Sequence, residues 1–296
     1  MDGYPSFYHL ATRGASSATL SGRATQKCIV GLSIFDDAQD AASGTPLSQC
    51  TMSGMSVSSI AYSFPVDGNF TEQLTLVGND KVWNTSIPFT FSGVFNNQDF
   101  PVSIAGSGGV NRREDMLFDY TTNTVDVNGH VADDHATVLP GGLYGGIPGI
   151  SSSGTNNALS DGYYTAKIQN INVSCDLGRE ELFQLGKRTP YFRFVPFPVE
   201  VTCEIECIST DGDRISGTEA GVAGNGNNLA DKSIRIACRE GLRLNLGTKN
   251  KLQSSTQNGG DTGGGNVTTT YTYRNFNDLI SQAWHDPTTA IATEQP

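Results

Sequence analysis

The sequence predicts a mainly β protein with one short flanking helix and long loops. Three observations carry that expectation. Apolar residues recur at every second position in the longest patterned runs. The chain holds 34 glycines and 12 prolines among 296 residues, a composition of many turns between short strands. Helical spacing is confined to two short segments. Charged residues are 17% of the chain, below the usual quarter, and hydrophobic residues, at 37%, are spread along its whole length, which suits a packed core and not global disorder.

Taken in order, strands are expected at 27–34, 55–64, 71–77, 87–95 and 101–105, each a β-prone run bounded by turn residues. YYTAKIQNINVSCDL (163–177) reads as a long strand with a fault in its alternation. Tyr164, Ala166 and Ile168 share one parity, and Ile171, Val173 and Cys175 share the other. The switch at Gln169–Asn170 is what a β-bulge produces, because one extra residue returns the apolar side chains to the core.

LGREELFQLGKRTP (177–190) is read as the flanking helix, roughly eight residues long. Asp176 or Ser174 serves as its cap, Glu180 and Glu181 occupy its first turn, and Gly186 and Pro190 stop it. PVEVTCEIECIST (198–210) is the clearest strand. Val199, Val201, Cys203, Ile205 and Cys207 fall on one face, with Glu200, Thr202, Glu204 and Glu206 on the other. Further strands are expected at 232–239, 241–246, 249–256 and 266–274, the last two joined by a glycine-rich tip. NFNDLISQAWHD has helical spacing at Phe276, Leu279, Ile280, Ala283 and Trp284 inside a β context and stays open between helix and strand. Residues 106–162 and 209–230 lack sustained periodicity and read as loop-rich insertions on a single 1–296 domain. The tail TTAIATEQP reads as a docking or disordered terminus.

Several function classes lose ground on composition. A net charge of −11 removes a chain-wide basic footprint for gripping nucleic acid. No stretch approaches the roughly 18 apolar residues of a membrane-spanning helix. MDGYPSFYHLATRGASS lacks the basic and apolar regions of a signal peptide, so synthesis in the cytosol is expected. The six cysteines form no C-x-x-C pair, against a zinc ribbon or a thioredoxin-like site. Cys203 and Cys207 lie roughly 13 Å apart along a strand, beyond the separation of about 7 Å that a disulfide spans.

Catalytic and metal-binding patterns are equally sparse. His130 and His135, with Asp133 and Asp134 between them, have no spacing that puts both imidazoles on one face, and a solvated acidic loop is expected. Asp211-Gly212-Asp213 opens like a calcium loop, but Val222 stands where its glutamate is required. No G-x-S-x-G elbow or P-loop is present. The expectation is a non-enzymatic protein without cofactor or metal. A hydrolase assembled from distant carboxylates stays as the least favoured alternative.

Four longer phrases add a resemblance. MSGMSVSSIAYSFPVDGNFTEQLTLVGNDKVW (52–83) and GSGGVNRREDMLFD (106–119) resemble the N-terminal part of bacteriophage tail tube proteins and the segment that follows it. INVSCDLGREELFQLGKRTPYFRFVPFPVEVTCEIE (171–206) and LNLGTKNKLQSSTQNGGDTGGGNVTTTYTY (244–273) resemble the C-terminal part, and the four stand in the family's order. The resemblance implies a virion protein of the tail that assembles with copies of itself into stacked hexameric rings. Each subunit would be a β-sandwich or rolled barrel with one short flanking helix, and strands of the subunits would complete a shared inner β-barrel, the conduit for genome delivery into the host. Implied partners are the tail sheath, the baseplate or initiator, the tail terminator, and genomic DNA that passes without specific binding.

Within that frame the candidate lumen-facing carboxylates are Glu200, Glu204 and Glu206. The candidate inter-subunit loop is Gly259, Gly260, Asp261, Thr262, Gly263, Gly264 and Gly265, where glycine lets backbone approach a neighbour closely. Cys28 and Cys50 are the candidates for a disulfide between subunits, formed after particles leave the reducing cytosol. The alternative of a different class is a β-sandwich binding module of the carbohydrate-binding or tail-fibre type.

Overall fold

A computed structural model describes residues 18–20, 27–36, 47–84, 112–113, 116–117, 142–144, 168–208, 233–238, 242–259 and 266–282. The strands among them are β1 (Ala18–Thr19), β2 (Cys28–Ile34), β3 (Ser48–Pro65), β4 (Thr71–Val77), β5 (Asp80–Asn84), β6 (Met116–Leu117), β7 (Gly142–Tyr144) and β8 (Ile168–Asp176). They continue with β9 (Glu180–Leu182), β10 (Phe192–Phe194), β11 (Glu200–Ile208), β12 (Ser233–Cys238), β13 (Arg243–Asn245), β14 (Lys251–Asn258), β15 (Thr268–Phe276) and β16 (Ile280–Gln282). The fold is mainly β, as the composition predicts.

An eight-stranded antiparallel sheet runs β14-β15-β11-β8-β3-β2, with β4 and β5 also paired to β3, and it does not close on itself. A six-stranded sheet runs β1-β16-β13-β12-β6, with β7 also on β12. One buried cluster draws on both sheets: Ile60, Tyr62, Phe64, Ile171, Val173, Val201, Cys203, Ile205, Tyr271 and Tyr273 from the large one, and Ile234, Ile236, Cys238 and Leu244 from the small one. Each fully buried aliphatic side chain contributes roughly 1.5–3 kcal/mol, so the shared cluster holds the two sheets to each other.

The alternation of 198–210 is realised in β11, where Val201, Cys203, Ile205 and Cys207 are all buried. The expected bulge is also present. Glu206 pairs with Asn170 and Cys207 with Ile168, which leaves Gln169 as the extra residue. β3 starts at Ser48, seven residues before the expected strand. Gly54, at φ +63°, interrupts its alternation, and the register slips again between Val57 and Ser59. A strand that changes faces twice has no single period to read.

The flanking helix is not formed. Its residues make a separate two-stranded hairpin in which Glu180, Glu181 and Leu182 of β9 pair with Phe194, Arg193 and Phe192 of β10. A helix of eight residues is marginal without an apolar face against the core. Leu182, Phe183 and Leu185 are exposed, so no such burial is on offer. The cap signal is used otherwise: Asp176 Oδ1 accepts from the Gly178 amide at 2.9 Å, closing a local turn. At Ile280–Gln282 the open choice falls to strand, since β16 pairs with β1 and β13, while Ala283 and Trp284 lie outside the described residues. The expected strands at 87–95 and 101–105, the 209–230 insertion, His130, His135, Asp211–Asp213 and the C-terminal tail lie outside the described residues, as does most of 106–162.

Candidate functional site

Burying one face of the large sheet commits the opposite face to a common surface. Cross-strand register shows which residues form it. One row runs Ser254, Thr272, Glu204, Asn172, Ser63 and Thr71 across six strands. The next runs Thr256, Thr270, Glu206, Asn170 and Pro65. A third runs Lys251, Arg274, Thr202, Ser174, Ala61 and Gln73. Serine, threonine and asparagine dominate, and no large apolar side chain interrupts these rows. The result is a broad polar surface carrying separated charges.

Glu200, Glu204 and Glu206 come together on it as alternate residues of β11. Glu200 is held in place. Arg274 Nη1 donates to its Oε2 at 3.3 Å, and Arg274 Nε lies 3.0 Å from its Oε1 as an ion-pair contact between adjacent strands. Both side chains are two-fifths exposed, so the pair orients the groups more than it stabilises the fold. Glu204 is exposed and Glu206 half-buried, and among the described residues neither forms an ion pair.

Behind this face sit three thiols whose strands continue into it. Burial pushes Cys175, Cys203 and Cys207 up to about 12, with further upward pressure from Asp176, Glu204 and Glu206 respectively. They pack as small apolar residues and are poor nucleophiles. Among the described residues no group of three His, Cys, Asp or Glu is placed to hold a metal ion.

The other sequence-predicted residues scatter. Gly259 directly follows β14 at φ +109°, a conformation open to glycine, while Gly260, Asp261, Thr262, Gly263, Gly264 and Gly265 lie outside the described residues. Cys28 is a half-buried free thiol opposite Met55, and Cys50 is a buried free thiol opposite Leu32. They stand at different levels of β2–β3, and the burial of Cys50 removes it from reach of another molecule in this form of the chain.

Two features escaped sequence reasoning. The rows of small polar residues are one; the alternating threonines of TTTYTY in β15 were a usable signal. The second is a pair of exposed apolar surfaces. One is the β9–β10 hairpin, with Phe183, Leu185 and Tyr191 at its tip. The other is the arm built by β2, the first half of β3 and β5, with Leu32, Ile34 and Trp83. No protein-family model and no curated protein sequence matches this chain.

Proposed function

We propose that this chain is a structural virion protein, a subunit that assembles into the tail tube of a tailed bacteriophage. Its polar sheet face would line the channel through which the genome passes. The observation that carries this reading is the open eight-stranded sheet with one face in the core and the other covered by serine, threonine, asparagine and unpaired glutamate. Among the described residues β14 and β4 each pair with one strand only, and such sheet edges invite association unless another copy covers them. Edge-to-edge pairing around a ring would turn the open sheet into a continuous inner barrel. The two sheets on one core then act as the sandwich wall of each subunit.

Charge favours the same arrangement. Duplex DNA carries one negative charge per about 1.7 Å, and basic groups that neutralise phosphates bind it by releasing counterions. A lining dominated by short hydroxyl and amide groups with Glu204 and Glu206, whose cations are confined to Lys251 and the Glu200-paired Arg274 in these rows, gives DNA little such grip, so the duplex slides. The tail sheath, the baseplate or initiator and the tail terminator are the further partners of this reading.

The test is assembly. Purified protein viewed by negative-stain microscopy forms hollow rings or tubes, and ultracentrifugation shows polymer mass rising with concentration. A chain that remains solitary at high concentration and is missing from virions overturns the proposal. A second reading, the carbohydrate-binding or tail-fibre type of module, draws on the exposed rings of Tyr191 and Phe192. It requires discrete monomers or trimers under the same conditions.

A further inference from the structure

The β9–β10 hairpin shows solvent an apolar apex. The Gln184 carbonyl accepts from the Lys187 amide at 3.3 Å, and Gly186 lies at φ +82°, the left-handed backbone that the third residue of a type II turn requires. Leu185 thereby takes the corner of the turn, where it is fully exposed. Phe183, 60% exposed, and Tyr191 stand on the two sides of the hairpin, each one residue beyond the Leu182–Phe192 pair. Lys187 and Arg188 are exposed, and residues 183–191 contain no carboxylate. The acids Glu180 and Glu181 belong to the base of the hairpin, where Glu181 is paired with Arg193 at 2.8 Å. That base is anchored. Arg193 also bonds Asn79, whose side-chain amide donates to the carbonyl of buried Pro190 at 3.1 Å, and Arg179 donates to the Val57 carbonyl on β3.

We propose that this apex docks on an anionic phospholipid surface, with Leu185 in the acyl boundary, Phe183 and Tyr191 at headgroup level, and Lys187 and Arg188 on lipid phosphates. An apolar turn corner with cations beside it and carboxylates only at the base matches the layers of such a surface. Going outward, a bilayer presents hydrocarbon, then an interface that favours aromatic rings, then phosphates. Long cationic side chains reach back to those phosphates while the apex stays buried. The acids at the base do not oppose the contact, since Glu181 is neutralised by Arg193 and Glu180 stands five residues before Leu185. The chain's net charge of −11 repels an anionic surface only over short range, because physiological salt screens it within about 8 Å. The cations next to the surface therefore decide. A hairpin already fixed at its base loses little freedom on docking. The inference goes beyond the tube reading and stands without it; copies gathered in a ring would add their contacts.

The test is flotation of the full chain on a density gradient, with vesicles of phosphatidylcholine alone or mixed equally with phosphatidylglycerol. The chain rises with the phosphatidylglycerol vesicles and stays behind with pure phosphatidylcholine. Leu185→Glu, and Lys187→Glu combined with Arg188→Glu, each lower the floated fraction at least about fivefold. Trp83→Glu, on the exposed arm, leaves it unchanged. In Leu185→Trp the emission of the added indole moves to shorter wavelength with phosphatidylglycerol vesicles, because the turn corner leaves water. If circular dichroism shows a glutamate variant to be misfolded, Leu185→Ser, or Lys187→Ser with Arg188→Ser, takes its place. No flotation, equal flotation with both vesicles, or an equal loss in Trp83→Glu overturns the proposal. A wild-type chain that does not float, while Leu185→Glu raises the concentration needed for tubes, assigns the apex to another copy and overturns it too. Tubes without flotation overturn lipid docking alone, and flotation by a chain that forms no tubes overturns the tube reading alone.

Discussion

Asn275 donates its side-chain amide to Asn250 Oδ1 at 2.7 Å, and both residues are buried. The pair converges on the turn after β13. Asn275 and Asn250 each donate to the Leu246 carbonyl at 3.1 Å, and Asn275 Oδ1 accepts from the Asp278 amide at 3.2 Å. Asn275 lies on β15 of the large sheet, whereas Leu246 immediately follows β13 of the small one. The network therefore supplies buried polar partners where the chain crosses between sheets. Replacing Asn275 by alanine leaves the Asp278 amide and Asn250 Oδ1 without these bonds. Losing a buried hydrogen-bond partner costs about 1–3 kcal/mol, so Asn275→Ala lowers unfolding free energy by about 1–3 kcal/mol, read from urea denaturation of the unassembled chain. A loss below about 0.5 kcal/mol means the network is dispensable.

Alkaline stability follows from the thiols. Cys175, Cys203 and Cys207 are raised to about 12 in the fold by burial, above the ordinary thiol value of 9.0. The folded state therefore holds these protons more tightly than the unfolded chain. Their stabilising effect is complete below pH 9 and declines between pH 9 and 12, by up to about 1.4 kcal/mol per pH unit for each thiol. Cys203→Val makes the decline shallower without altering the neutral-pH baseline by more than about 1.5 kcal/mol. An identical pH slope in the variant rejects the assignment to Cys203.

The same burial governs thiol labelling. Five of the six cysteines are buried and Cys28 is half-buried. In the folded, unassembled chain at neutral pH, Ellman's reagent reacts with Cys28 at most, and denaturant exposes the remainder. Rapid reaction of Cys50 in the folded chain restores it as a candidate for cross-linking, and a dimer band on non-reducing gels of particles does so directly.

In the proposed tail-tube reading, a chain carrying Glu200→Lys, Glu204→Lys and Glu206→Lys together assembles tubes but retards genome release, because each ring would then offer cations to the phosphates. Release at the normal rate means β11 does not face the lumen. The Glu200 substitution also breaks the pair with Arg274, so Glu204→Lys with Glu206→Lys serves as the cleaner comparison.

The hairpin anchor has a local signature. Arg193→Ala removes the contacts to Glu181 and Asn79, freeing the tip while leaving the core cluster intact. Trypsin cleavage after Lys187 and Arg188 accelerates about tenfold, and the melting temperature moves by less than about 3 °C. Equal cleavage rates mean the ion pair does not hold the hairpin. At the glycine-rich tip, deletion of 259–265 stops tube growth in the reading of that loop as a subunit contact, and normal tubes after deletion remove the idea. Gly259 is constrained already in the monomer, since a Cβ there would lie 2.9 Å from the Asn266 carbonyl oxygen.

What the amino-acid order alone determined was the local, repetitive part of the fold. β4 falls where it was expected, β11 shows the alternation of 198–210, and the parity change at Gln169–Asn170 marks the bulge that the pairing with β11 contains. These features are legible because a strand with one buried face writes its period into neighbouring positions. The three glutamates could be placed on a common face for the same reason.

Tertiary structure decided the rest. Residues 177–190 carry helix-like punctuation, but segment 192–194 offers pairing and no core face offers burial, so they form a hairpin. Phe276–Gln282 splits between two strands of different sheets, with Asn277 at φ 67° making the turn. The polar row through Glu204 joins residues more than a hundred positions apart, Ser63 with Asn172 among them. No periodicity records such neighbours, because cross-strand register is set only when distant segments pair and share a core.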